Sequence, residues 1–170
     1  MKRILISFVI LLSGVVSLSA QKVAFVNTEL ILGEIPEYLQ AQEELNSLSD
    51  TYKAAIETEL DKIETLYNNY QARKATMTAS QRSAAEEEII SKEKVVKEKQ
   101  NIYFGQDGIM AKKSEELLIP IQKKVNNAIE KVAKKMDYSM VLDLAVTQGV
   151  VYYKESDDIT DLVVSTMNSR

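Results

Sequence analysis

From residue 36 to 137 the apolar positions fall on helical spacing, broken by only a single proline and two glycines after Pro36. Tyr38, Ala41, Leu45, Leu48 and Tyr52 step by 3, 4, 3 and 4, the seam of a coiled coil. Leu48, Tyr52, Ile56 and Leu60 then step by four, a stutter that locally unwinds a supercoil. Ile63, Tyr67 and Tyr70 resume the earlier rhythm. Further on, Ile89, Val96, Tyr103, Met110 and Leu117 lie seven apart, and Leu118, Ile121, Val125, Ala128 and Val132 double the apolar density. The pattern predicts two long helices folded back on each other, well packed near residue 132 and thinner from 90 to 114.

The rhythm lapses at Thr76-Met77-Thr78-Ala79-Ser80, where hydroxyl residues favour caps over helix interiors. The tip of the hairpin is therefore expected near 77–80. Thr78 with Gln81 has capping-box spacing, and Ser80 is a second N-cap candidate. Gly105 and Gly108 interrupt the return arm, at a cost of roughly 2 kcal/mol relative to alanine in a helix interior. They mark either a soft spot or a tolerated fault. Pro120 should kink the helix without ending it, because the apolar rhythm runs through it.

Outside this arm the period changes. Lys22 to Asn27 reads as a strand, Asn27 or Thr28 can cap a short helix that Gly33 ends, and Pro36 suits a first helical turn. Ser139–Ala145 and Val150–Tyr153 read as strands joined through Thr147-Gln148-Gly149. Ile159–Met167 reads as a terminal helix capped by Asp157 or Asp158. The fold class expected is α+β, a long antiparallel coiled-coil arm (36–137) inserted in a small β body (21–35 and 138–170). Three short strands make a poor domain alone, so copies of the same chain are expected to cover them.

Charge strengthens the hairpin reading. From 37 to 72 Glu37, Glu43, Glu44, Asp50, Glu57, Glu59, Asp61 and Glu64 face only Lys53 and Lys62. From 89 to 135 there are 11 lysines against 6 acids. An acidic arm beside a basic one favours pairing within a hairpin over pairing of like arms. Residues 1–20 read as a cleavable secretory signal peptide: Lys2-Arg3, an apolar run from Ile4 to Leu12, then Ser17-Leu18-Ser19-Ala20. Cleavage after Ser19 or after Ala20 is open, and an uncleaved anchor is the alternative. Taking Lys2 and Arg3 from the 21 basic residues leaves 19 against 25 acidic, a mature net charge of −6, which argues against nucleic acid. The mature chain is not expected to insert stably in a membrane. With no cysteine and no histidine, neither disulfides nor the usual nucleophile arrangements and zinc sites are available. No catalytic residue, metal site or cofactor is expected.

Several stretches resemble the Skp/OmpH family of periplasmic chaperones. They are Val23-Ala24-Phe25-Val26-Asn27, Ile35-Pro36-Glu37-Tyr38, the run from Pro120-Ile121 through Val125, Ala128-Ile129, Val132-Ala133 and Tyr138 to Val141-Leu142-Asp143, and Tyr153 followed by Asp158-Ile159-Thr160-Asp161. The resemblance implies a periplasmic homotrimer whose strands form a small body, with Val23, Phe25, Val141, Leu142 and Val151 buried in it. It also implies an ATP-independent holdase that takes unfolded outer-membrane proteins between its arms. Tyr67, Tyr70, Met77, Ile102, Tyr103 and Met110 are the candidates for client contact, or else they pack the seam. Members of that family are often basic and this chain is acidic. A structural or adaptor coiled coil of the cell envelope, with one specific partner, is the alternative function.

Overall fold

The computed structural model describes residues 22–169; the expected signal segment lies outside the described residues. Strand β1 (Val23–Val26) leads into a short helix α1 (Thr28–Gly33), whose N-cap Asn27 accepts the Leu30 N–H on its side chain. Pro36 opens α2 (Pro36–Arg73), where its missing N–H costs nothing. Then come α3 (Ala79–Phe104), α4 (Ile109–Lys135), β2 (Met140–Asp143) and, after one 3-10 turn, α5 (Thr160–Asn168).

The expected single return helix is two helices. Gly105 closes α3, its N–H reaching the Asn101 carbonyl at 2.8 Å, and Gly108 caps α4. Both glycines have ordinary negative φ, so conformational freedom is not the reason for them. A Cβ on Gly105 would lie 2.4 Å from the Asn101 carbonyl oxygen, and one on Gly108 would lie 2.9 Å from those of Ile102 and Gly105. The chain folds so tightly here that only glycine fits. Pro120, by contrast, is carried inside α4. Past the C-cap Met136 the chain turns out of that helix at Asp137, at φ 57°, with Tyr138 N–H bonded to the Ala133 carbonyl and Asp137 N–H to that of Lys134, a Schellman arrangement.

β1 and β2 form a parallel pair in the register Val23–Met140 to Val26–Asp143. A parallel pair needs a crossover, and the whole helical arm is that crossover. Two polar junctions hold the base. Thr28 donates its N–H and hydroxyl to the Asp143 carboxylate at 3.1 and 2.6 Å. The Asn27 N–H reaches the buried Thr160 hydroxyl at 2.9 Å, which in turn donates to Asp158. Neither Asp157 nor Asp158 is the N-cap, which is Ile159, but from the position before it Asp158 also accepts the Thr160 N–H.

The expected strand at Val150–Tyr153 does not form within the chain. The second edge of β1 is taken instead by Asp158 and Ile159, whose N–H bonds to the Phe25 carbonyl at 2.8 Å. Val151 is 98% exposed, and Tyr153 lays its ring against Phe25 with centroids 4.9 Å apart. The sheet is thus two-stranded rather than three-stranded.

Apolar packing divides into two clusters. At the base, Ala24 and Val26 of β1 meet Ile31, then Ile121, Val125, Ala128 and Val132 of α4, and Ile159 and Val163 at the C-terminus. The fully buried face of β1 is therefore that of Ala24 and Val26, while Val23, Phe25, Val141 and Leu142 are half-buried. Along the arm Ile56, Ile63 and Tyr70 of α2 meet Ile89 and Val96 of α3. Between the clusters, from Ala41 to Ile56 on one side and from Val96 to Ile121 on the other, no apolar side chain is fully buried.

Replacing Thr160 with Val leaves the Asn27 N–H without its acceptor in a buried place. The loss should be about 1–3 kcal/mol in chemical denaturation, with an unchanged dependence on denaturant. An unaltered midpoint would show that the junction does not hold the base.

Candidate functional site

The arm is where side chains are presented, and its geometry follows from three local causes. The reversal is fixed by the Thr78 capping box: the Thr78 hydroxyl accepts the Gln81 N–H at 3.2 Å, and the Gln81 side chain accepts the Thr78 N–H at 2.9 Å. The seam is fixed by heptads, with Ile56, Ile63 and Tyr70 buried seven apart against Ile89 and Val96. The pairing of arms is matched by charge. Glu37, Glu44 and Glu59 of α2 meet Lys124, Lys113 and Lys99 of the return side at 3.3, 2.9 and 3.2 Å. In each of these pairs the acid is outbound and the lysine returns.

These pairs are exposed or half-exposed and each adds little stability, but together they oppose other pairings. Glu37 is held below the usual carboxylate range by a hydrogen bond from its own backbone N–H and then by Lys124. Glu59 is held low by its hydrogen bond from Lys99, with Lys62 and Lys99 adding charge. Lys113 is held high, chiefly by Glu44.

The six residues picked out for contact divide on the arm. Tyr70 is buried, its hydroxyl donating to the Glu86 carboxylate while the Lys74 ammonium stands 5.2 Å from its ring centre. Tyr103 stacks on Tyr52 at 4.2 Å with the rings 9° apart, and Phe104 meets both edge-on. Met77 packs half-buried on the tip cluster, and Met110 is half-buried just past the glycines. Tyr67 at 49% and Ile102 at 54% exposure remain open to solvent.

Leu60, Ile90, Val95 and Phe104 are exposed as well, and the sequence reading missed them. The signal was there in the doubled apolar pairs Ile89-Ile90, Val95-Val96 and Tyr103-Phe104. Neighbours on a helix point 100° apart, so when one member faces the seam the other must leave it. Leu60 is the last member of the stutter, which has by then drifted off the seam. Ile56, Leu60, Gln100 and Phe104, with Lys53 and Glu57, line an open groove of about 530 Å³ on one flank of the hairpin. Ile90 lies two heptads before Phe104, and Tyr67 one heptad after Leu60, so an interrupted apolar stripe extends towards the tip.

Among the described residues, no cluster of acidic side chains is placed to hold a metal ion, and no helix is long and apolar enough to cross a membrane. A long arm with exposed apolar side chains is thus set on a small base. A family model for outer membrane proteins of the OmpH-like type matches residues 22–167, and the chain belongs to that family. In fold the chain is similar to the crystal structure of an OmpH-like outer membrane chaperone candidate from Caulobacter crescentus. The TM-score is 0.64 at 16% identity, over 89% of this chain and 86% of the other. No curated protein matches the chain.

The lowered carboxyls of Glu37 and Glu59 set a pH dependence. Their stabilising effect is complete above the ordinary glutamate value of about 4.3 and is lost as pH falls through the lower folded values. Thermal melts from about pH 6 to pH 3 should therefore fall more steeply for the parent than for Glu37→Gln/Glu59→Gln. Parallel slopes would show that neither pair contributes.

Proposed function

We propose that the mature chain is an ATP-independent holdase of the periplasm, which keeps unfolded outer-membrane proteins from aggregating by covering their apolar segments. The observation that carries this reading is the stripe of Leu60, Tyr67, Ile90 and Phe104, exposed along a hairpin whose seam is already filled. A soluble monomer has no use for a row of exposed apolar side chains, and such rows mark interaction surfaces. Of the residues picked out from sequence, Tyr67 carries the contact on this flank, with Met77 and Met110 as adaptable flanking surface, while Ile102 is exposed on the opposite flank, about 200° around the helix from Phe104. Tyr70 and Tyr103 serve the seam. Export by residues 1–20 is part of this reading.

The working unit is a homotrimer joined through the base. Its support is the unfinished sheet: among the described residues β2 has no second partner, Val151 and Tyr152 stand in solvent, and Val23, Phe25, Val141 and Leu142 are half-covered. An apolar extended segment beside an open strand edge is a surface that another copy can complete. Light scattering should give three times the chain mass, and Phe25→Asp, which places a charge among those side chains, should dissociate the assembly. A stable monomer of the parent would overturn the trimer.

How clients are held follows from the charge pairing. Acids of α2 and lysines of α3 and α4 neutralise one another, so little net field remains to draw in a client. Protection of an unfolded outer-membrane protein against aggregation should then survive salt. The Debye length shrinks from about 10 Å at 0.1 M to about 3 Å at 1 M, which would screen electrostatic holding but not apolar contact. With the client's own salt response subtracted, a collapse of protection across that range would contradict apolar holding.

A further inference from the structure

We propose that the arm contains a joint at mid-length, latched by the stack of Tyr52 on Tyr103, about which the outer part of the hairpin bends as one piece. Four observations fall at the same level of the arm. The return helix is broken from Gly105 to Gly108. Opposite it, the outbound seam stutters through Leu48, Tyr52 and Ile56, where a supercoil unwinds. The antiparallel pairing sets these two features side by side, since Glu44 meets Lys113 and Tyr52 meets Tyr103. At that level, too, the buried apolar packing lapses on both helices, so that the base and the outer arm have separate cores.

No apolar side chain is fully buried across the gap, where Leu45, Leu48 and Met110 are half-buried. The Tyr52 and Tyr103 rings lie nearly parallel at 4.2 Å, with Phe104 edge-on to both, and Glu44 pairs with the half-buried Lys113 beyond them. Aromatic stacking adds directional attraction to burial, and a single ion pair with its carboxylate open to solvent adds little. The stack is therefore the element that fixes the angle between the two pieces. The glycines are built into the break by contact, because a Cβ at either would strike backbone carbonyls. Bending at this level costs no buried apolar contact in either core. It moves the stretch that carries Tyr67 and Ile90 while the base stays closed.

The chain has no cysteine, so introduced pairs can be spin-labelled cleanly, in copies diluted with unlabelled protein. Thr65→Cys with Lys123→Cys places labels on both sides of the joint, roughly 40 Å apart at 1.5 Å per residue. Asp61→Cys with Ser80→Cys places both on the outer piece; all four positions are exposed. In full-length assembled protein, Tyr52→Ala should at least double the width of the distance distribution across the joint. It should leave the outer pair's width as in the parent, and Tyr103→Phe, which keeps a ring in the stack, should leave both widths unchanged. Broadening of both pairs would mean that the hairpin unzips, and broadening of neither would mean that no latch exists; each overturns the proposal. Should Tyr52→Ala lose helix content, hydrogen exchange on the parent decides. Two protected blocks, 56–70 with 85–98 and 117–132, separated by fast exchange at 45–52 and 104–110, would support the joint. Uniform protection along the arm would overturn it.

Discussion

Everything in this chain depends on closing its two ends against each other. β1 and β2 lie far apart in sequence, yet they pair in parallel, and the backbone of Thr28 is held by the carboxylate of Asp143, 115 positions on. A long connection between the strands is tolerated, because each doubling of a flexible loop costs only about 0.6 kcal/mol. Here the connection is itself folded, so the closure has only to set the position of α2 and α4 where they leave the base. The buried faces of Ala24, Val26, Val125 and Val132 do this by packing, while the Asn27–Thr160 and Thr28–Asp143 bonds satisfy the backbone N–H groups of Asn27 and Thr28 at the junction. Once the base is set, the arm has one place to go.

The arm then has to satisfy two demands that pull in different directions. It must pack along its seam to exist as a hairpin, and it must keep apolar surface open to act on other chains. Doubled apolar residues meet both: Ile89, Val96 and Tyr103 fill the seam while Ile90, Val95 and Phe104 stay outside it. Opposed charge holds the arms together without adding apolar surface, which leaves the outer flank free. The weak middle of the arm belongs to the same compromise. A hairpin packed from base to tip would hold its shape, whereas two cores joined by an aromatic stack leave room to adapt.

Much of this was legible in the sequence because its causes are local. The Asn27 cap, the capping box of Thr78 and Gln81 and the helix start at Pro36 depend on neighbours within four residues, and each is found in the structure. The dense heptads ending at Val132 likewise lie in the base core. What was not legible depends on distant partners. Val150–Tyr153 has strand composition, but Asp158 and Ile159 reach the free edge of β1 first, and nothing in the segment's own residues reveals that competition. Gly105 and Gly108 could be seen as a weakness, but the break required knowing how closely the Asn101 and Ile102 carbonyls approach. Among the contact candidates, heptad position could not separate Tyr67 from Tyr70, because a stutter upstream shifts which of them faces the seam.

The central claim is that one flank of the arm holds clients by apolar contact, and site-specific photo-crosslinking tests it most directly. A photoreactive side chain would be placed in turn at Tyr67 and Ile90 on the apolar flank, and at Lys62 and Thr65 on the polar surface where Lys92 also lies. Each protein would be mixed with an unfolded β-barrel outer-membrane protein and illuminated. The account predicts strong adducts from Tyr67 and Ile90 and weak ones from Lys62 and Thr65. Equal yields from the two surfaces, or adducts confined to the polar one, would contradict it.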